Sequence, residues 1–224
     1  MPMMTAEEIR SHPGRFVKLR LAEPRARENF PFGGNPPEGI HPNCATDFTT
    51  YLTTIPFDSH LCCSVFINLT SVHPSSPFFV FSAAGVAHDE TSSLVEAVWH
   101  APISEVGTVP LPCRLPRLAF EVEGLGLDEG VEVDVENDSE LVIDNENFYD
   151  HHKLGGGAYF YQAGDAVVEL AHALCKDGFH HHFQLAFPGP NDADVDCNWP
   201  FGEYVFHVFA RPCNDRWELR FVWS

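Results

Sequence analysis

Residues 165–185 read Asp-Ala-Val-Val-Glu-Leu-Ala-His-Ala-Leu-Cys-Lys-Asp-Gly-Phe-His-His-His-Phe-Gln-Leu, and the period of the apolar positions changes partway along. Val168, Leu170, Ala171 and Leu174 fall near helical spacing, Asp165 is a good N-cap, and Asp177-Gly178 supplies a stop with glycine at the left-handed position. The spacing predicts a helix over 165–176. From Phe179 to Phe187 the pattern changes to a β-strand. A helix followed directly by a strand, among many other strand signals, predicts an α+β fold: strand-rich, mostly antiparallel, with about two helices.

Outward from this stretch the same two periods recur. Thr5-Ala6-Glu7-Glu8 is a capping box and predicts a short helix ending before Pro13. Val17, Leu19 and Leu21 alternate with Lys18 and Arg20, a half-buried strand. Residues 31–42 hold four prolines and three glycines and read as an irregular loop. Strands are expected at Cys62–Leu69, Phe78–Phe81, Leu94–Trp99, from Leu118, at Tyr204–Ala210 and around Trp217, Leu219 and Phe221. Val131, Val133 and Val135 alternate with Glu132, Asp134 and Glu136, strands with one wet, acidic face.

The charge limits the partners. The chain of 224 residues has 32 acids and 13 bases, a net charge of -19. Phosphate neutralisation needs a basic stripe, and no Lys or Arg occurs between Arg27 and Arg114. Nucleic acid and anionic membranes are therefore disfavoured, and a basic protein, a cationic ligand or a metal ion suits the field. No apolar run approaches the ~20 residues of a membrane span. The opening residues lack a signal pattern. Seven cysteines without a C-x-x-C pair read as reduced thiols filling a core. The expectation is a cytoplasmic protein.

The residues also resemble a known family. Lys153-Leu154-Gly155-Gly156, an aromatic run ending at Gln162, Phe183-Gln184-Leu185, the turn Trp199-Pro200-Phe201-Gly202 and the strand Tyr204–Phe209 are similar to the YwqG-like domains. The first half offers Phe32-Gly33-Gly34-Asn35-Pro36, Phe66-Ile67-Asn68-Leu69 and Phe78-Phe79-Val80-Phe81. The resemblance is loose over most of the chain and firmer over 151–224. Asn68 stands where Gln is expected, Gly157 is an extra glycine, and the acidic middle departs from the pattern. The resemblance implies a compact α+β domain, intracellular and without a settled activity. Some relatives lie beside toxin- and antitoxin-like genes, which implies a binding or immunity role. It carries over no catalytic residue. The two sets of motifs suggest one domain over 1–224 with duplicated halves, 1–120 and 121–224.

Three clusters bear on chemistry. Asp192, Asp194 and Asp196, with Glu203 at the twelfth position, have alternating carboxylates that could wrap calcium. However, Cys197 stands where the loop needs glycine, and the plain alternative is a solvated acidic turn. His180 and His182 share one strand face and, with a carboxylate such as Asp150 or Glu203, could hold zinc in a hydrolase. His181 should lie opposite with Phe179 and Phe183, and the plain alternative is an exposed polar face. Gly155-Gly156-Gly157 reads as a tight turn, not a phosphate loop. Trp199, Phe201, Tyr204 and Phe206 read as core, and Gln184 as a buried amide. No nucleophile motif is present, and no catalytic or cofactor-binding residue is assigned. The sequence favours a protein-binding module, immunity-like or inhibitory, for a basic partner, with Glu132, Asp134 and Glu136 in contact. A metal-dependent hydrolase and a calcium-stabilised domain are the alternatives.

Overall fold

A computed structural model describes residues 5–12, 14–24, 30–43, 45–68, 94–109, 111, 115–127, 152–158, 165–186, 205–214 and 216–224. Their elements run α1 (Ala6–Ser11), β1 (Arg15–Ala22), β2 (Phe30–Phe32), β3 (Thr49–Pro56), β4 (Cys62–Asn68), β5 (Val95–His100), β6 (Leu118–Leu127), β7 (His152–Gly155), α2 (Asp165–Lys176), β8 (His180–Leu185), β9 (Phe206–Cys213) and β10 (Arg216–Trp223). The described strands form a single antiparallel sheet in the order β10-β9-β8-β7-β1-β6-β2-β3-β4-β5.

This corrects the fold class. Strand accounts for 52% of the described residues and helix for 13%, so the protein is mostly β, not α+β. The two helices do not form a layer of their own. α1 packs against β7 and β8, and α2 covers one patch of the sheet.

The sheet curls into a nearly closed, barrel-like form. One contact establishes the curvature. β8 and β3 are five strand steps apart, about 24 Å in a flat sheet at ~4.8 Å per step. Yet His182 Nε2 lies 3.1 Å from the Pro56 carbonyl oxygen at the end of β3. Side chains from all ten strands meet in the interior, including Val17, Phe32, Ile55, Val65, Phe120 and Phe183. Phe57, just past β3, reaches both terminal strands of the described sheet. Its ring centroid lies 4.7 Å from that of Trp99 on β5 and 5.7 Å from that of Trp217 on β10.

Local chemistry explains the elements. Thr5 Oγ1 accepts from the Glu8 amide at 3.2 Å while Glu8 accepts from the Thr5 amide at 2.7 Å, closing the capping box of α1. In β1, Val17, Leu19 and Leu21 point inward. Lys18 and Arg20 reach Glu123 and Glu121 of β6 at 2.9 and 2.7 Å. On α2 the buried stripe is Val167, Ala171 and Leu174, packed on Phe179, Phe209 and Val222 of the sheet's outer face. It begins at Val167 and not at Val168, which is half-buried. Gly178 ends the helix at φ +85°.

Three strands depart from the sequence reading. β3, Thr-Thr-Tyr-Leu-Thr-Thr-Ile-Pro, is buried along nearly its whole length on both faces, so it shows no polar–apolar alternation. β2 includes Pro31, which the proline-rich loop reading absorbed, and β7 is only four residues long. The expected strand at 78–81 and the alternating acidic strands after 130 lie outside the described residues.

Candidate functional site

β8 places histidines on both faces of the sheet, and neither face is the exposed polar surface expected. His180 and His182 point inward, and their ring centroids lie 6.1 Å apart at 83°. His182 is fully buried and stacks on Phe57, with centroids 4.1 Å apart and planes at 21°. A carbonyl can only accept, so His182 Nε2 carries the proton donated to Pro56 O at 3.1 Å. That leaves Nδ1 as a buried lone pair with no protein partner. His180 is half-buried against Trp217, with centroids 5.7 Å apart, and neither of its nitrogens has a partner.

Burial keeps both rings neutral. It pushes His180 down to about 4, with the Arg10 charge of α1 adding to the effect. It pushes His182 down to about 3, with His180 as a second, like-charged neighbour. At neutral pH the inner face therefore presents two uncharged imidazoles held by aromatic packing. The elements that assemble them are β8, the β3 terminus and the two terminal strands.

The outer face of β8 carries a second polar group. His181 Nδ1 donates to Gly156 O at 3.1 Å, and its ring lies 5.6 Å from His207 and 5.5 Å from Phe209. His207 Nε2 is 2.8 Å from Ser224 Oγ. Lys153, Gln184 and His207 face one another in register across β7, β8 and β9, all buried. The Lys153 ammonium lies 5.1 Å from the Phe16 ring centroid. Burial, then the charges of His207 and Lys153, hold His181 well below the ordinary histidine range. Burial and Lys153 hold His207 down at about 3. Phe183 does not share this face. A bulge between His181 and Phe183 turns it inward to pair with Leu154.

A hydroxyl relay runs across β3, β4 and β5. Tyr51 Oη meets Thr54 at 2.7 Å, Thr54 meets Ser64 at 2.8 Å, and Ser64 Oγ meets His100 Nε2 at 2.8 Å. His100 Nδ1 donates to Ala101 O at 2.7 Å, so Nε2 accepts from Ser64. The pair has the hydrogen bond of an activated nucleophile, but Ser64 is 0% exposed and no substrate can reach it. The relay satisfies buried hydroxyls in the sheet.

The remaining sequence candidates divide simply. Asp192, Asp194, Asp196 and Glu203 lie outside the described residues, as do Glu132, Asp134 and Glu136, Asp150, and Trp199, Phe201 and Tyr204. Phe206 is core, beside Phe221 and Trp223. Gln184 is fully buried. Gly155 and Gly156 sit at φ +84° and +72°, and a Cβ on Gly155 would come 2.8 Å from Arg15 O, as a tight turn requires. His152 lies inward, its Nδ1 accepting from the Ala186 amide at 3.2 Å. Cys62, Cys63, Cys175 and Cys213 are free thiols, and burial pushes Cys62 and Cys175 up to about 11. Among the described residues no group of three or more His, Cys, Asp or Glu side chains is placed to hold a metal ion, and no helix is long and apolar enough to cross a membrane.

Sequence reasoning missed Phe57, Trp99 and Trp217 as the walls of the histidine pair. They come from three distant segments, and no local spacing links them. Comparison of the chain with protein-family models, with curated proteins and with solved structures finds no match.

Proposed function

We propose that the protein is a binding module for a basic partner, with its contact centred on the acidic segment that contains Glu132, Asp134 and Glu136. The observation that carries this reading is the uneven distribution of charge along the sequence. Residues 128–150 contain ten Asp and Glu and no Lys or Arg, against a net charge of -19 for the whole chain. On the sheet, Lys18, Arg20, Arg211 and Arg220 are each engaged with a glutamate. Those bases are thus committed locally, whereas the acids of 128–150 have no base within their own segment. A like-charged segment attracts a cationic surface over about a Debye length, ~8 Å at physiological salt, and speeds encounter more than it tightens the final complex. The immunity-like role implied by the YwqG-like resemblance is compatible with this reading.

The test is capture of partners on immobilised full-length protein at low and high salt, beside the variant Glu132→Gln, Asp134→Asn, Glu136→Gln. Basic proteins retained at low salt, released at high salt and lost with the triple variant support the reading. Retention indifferent to both salt and the triple variant overturns it.

A further inference from the structure

We propose that His180 and His182 form a site for a d10 transition-metal ion, copper(I) or zinc, inside the curled sheet. The proposal is independent of the basic partner and rests on four observations. First, His182 Nδ1 is a fully buried lone pair with no protein donor, while its Nε2–H is held by the Pro56 carbonyl. A ring whose second nitrogen donates to a backbone carbonyl is the usual outer-shell arrangement of a metal-ligating histidine, because that bond fixes the tautomer and the ring direction. Second, His180, two residues along the same face, has both nitrogens buried and unpartnered. A buried imidazole nitrogen left without a partner is costly, and a bound ion removes that cost.

Third, the spacing fits. Metal–nitrogen bonds of about 2.0–2.1 Å, plus ~1.2 Å from nitrogen to ring centre, put two imidazoles on one ion about 5.3 Å apart for a tetrahedral angle and about 6.5 Å for a linear one. The observed 6.1 Å lies within that range, towards the wide angle. Wide angles suit ions of low coordination number, and imidazole suits both copper and zinc. The protein supplies two nitrogens here; zinc would complete its shell with water, whereas copper(I) accepts two ligands. Fourth, both rings are fixed before any ion arrives, His182 by Phe57 and His180 by Trp217. His180 is half-buried as a residue, although both of its ring nitrogens are buried. The net charge of -19 draws cations to the molecule, while Arg10 opposes them locally.

The experiment uses untagged full-length protein. Metal-free chain is titrated with zinc and, under anaerobic reducing conditions, with copper(I), each against a chromophoric chelator. X-ray absorption then reads the ligands. The expected result is one ion per chain for at least one metal, with two histidine nitrogens in the spectrum. His180→Leu should weaken binding by more than about tenfold, His172→Leu on α2 should leave it unchanged, and Arg10→Ala should tighten it. No stoichiometric uptake of either metal, sulfur-only ligation, or a folded His180→Leu that binds like the original chain would overturn the site. Should the leucine variant melt early, the wild-type absorption spectrum decides alone.

Discussion

Replacing Phe57 by alanine tests whether the curled sheet is closed by this one ring. Phe57 is 1% exposed and touches His182, Trp99 and Trp217, which belong to three different strands. Truncating a buried phenylalanine costs about 3–5 kcal/mol in lost transfer free energy and cavity. Three aromatic partners put Phe57→Ala near the middle of that range, about 4 kcal/mol. In a chain of this size each kcal/mol moves the melting temperature by roughly 2–4 °C, so the melt should fall by about 8–16 °C. Urea unfolding gives the free energy directly. Amide exchange adds spatial detail: protection should drop together in β5 and β10, which lie at opposite ends of the described strand order. A loss below about 1.5 kcal/mol, or faster exchange in β5 with β10 unchanged, would refute Phe57 as the link between the two.

Four further substitutions have defined outcomes. Gly33→Ala meets φ +61° and a Cβ position 2.9 Å from Leu115 Cβ and against Pro116 O, so it should cost at least about 2 kcal/mol in urea; Gly39→Ala, at φ +75° with nothing within 4 Å, should cost only the left-handed strain of about 1 kcal/mol. Thr5→Ala removes the acceptor for the Glu8 amide and should cost about 1 kcal/mol, read as a small drop in melting temperature. His207 is held at about 3 in the fold against about 6.5 when unfolded, so the unfolded chain binds the extra proton and stability falls as pH drops from about 6.5 towards 3, by up to ~1.4 kcal/mol per pH unit. His207→Gln should make acid denaturation shallower by about one proton, and an unchanged acid limb would count against a neutral buried His207.

Elements with a single wet face were legible in the sequence. β1 alternates because Lys18 and Arg20 emerge beside β6 while Val17, Leu19 and Leu21 enter the core, and α2 is bounded by its own stop signal. β3 was not legible: it is buried on both faces like β4, but four of its eight residues are threonines, so it offers neither an alternating period nor an apolar run. β7 was not, because His-Lys-Leu-Gly buries a lysine, and nothing local predicts that. At the site, the shared inner face of His180 and His182 follows from the strand period of two. Their burial does not, since the cover for His182 comes from Phe57, far away in sequence. The same distance hides the tautomer, which Pro56 sets across the barrel.

The strand order of the described residues has an internal symmetry that the two sets of sequence motifs do not follow. Adding five to each of β1–β5, and subtracting five from each of β6–β10, turns the order β10-β9-β8-β7-β1-β6-β2-β3-β4-β5 into its own reverse. Under this exchange β1 corresponds to β6, and each packs beside a short strand from the other set: β1 beside β7, and β6 beside β2. The Gly33-Gly34 turn after β2 corresponds to Gly155-Gly156 at the end of β7, and all four glycines have positive φ. The intervals then diverge, because α2 lies between β7 and β8 whereas no described helix lies between β2 and β3. The counterpart of β8 is thus β3, not β4, and matching Phe183-Gln184-Leu185 to Phe66-Ile67-Asn68 joins strands that occupy different places in the sheet. β3 and β8 face each other across the interior, where Pro56 O meets His182. The histidine pair therefore sits between two strands that occupy equivalent places in the sheet but differ in composition, β3 threonine-rich and β8 histidine-rich.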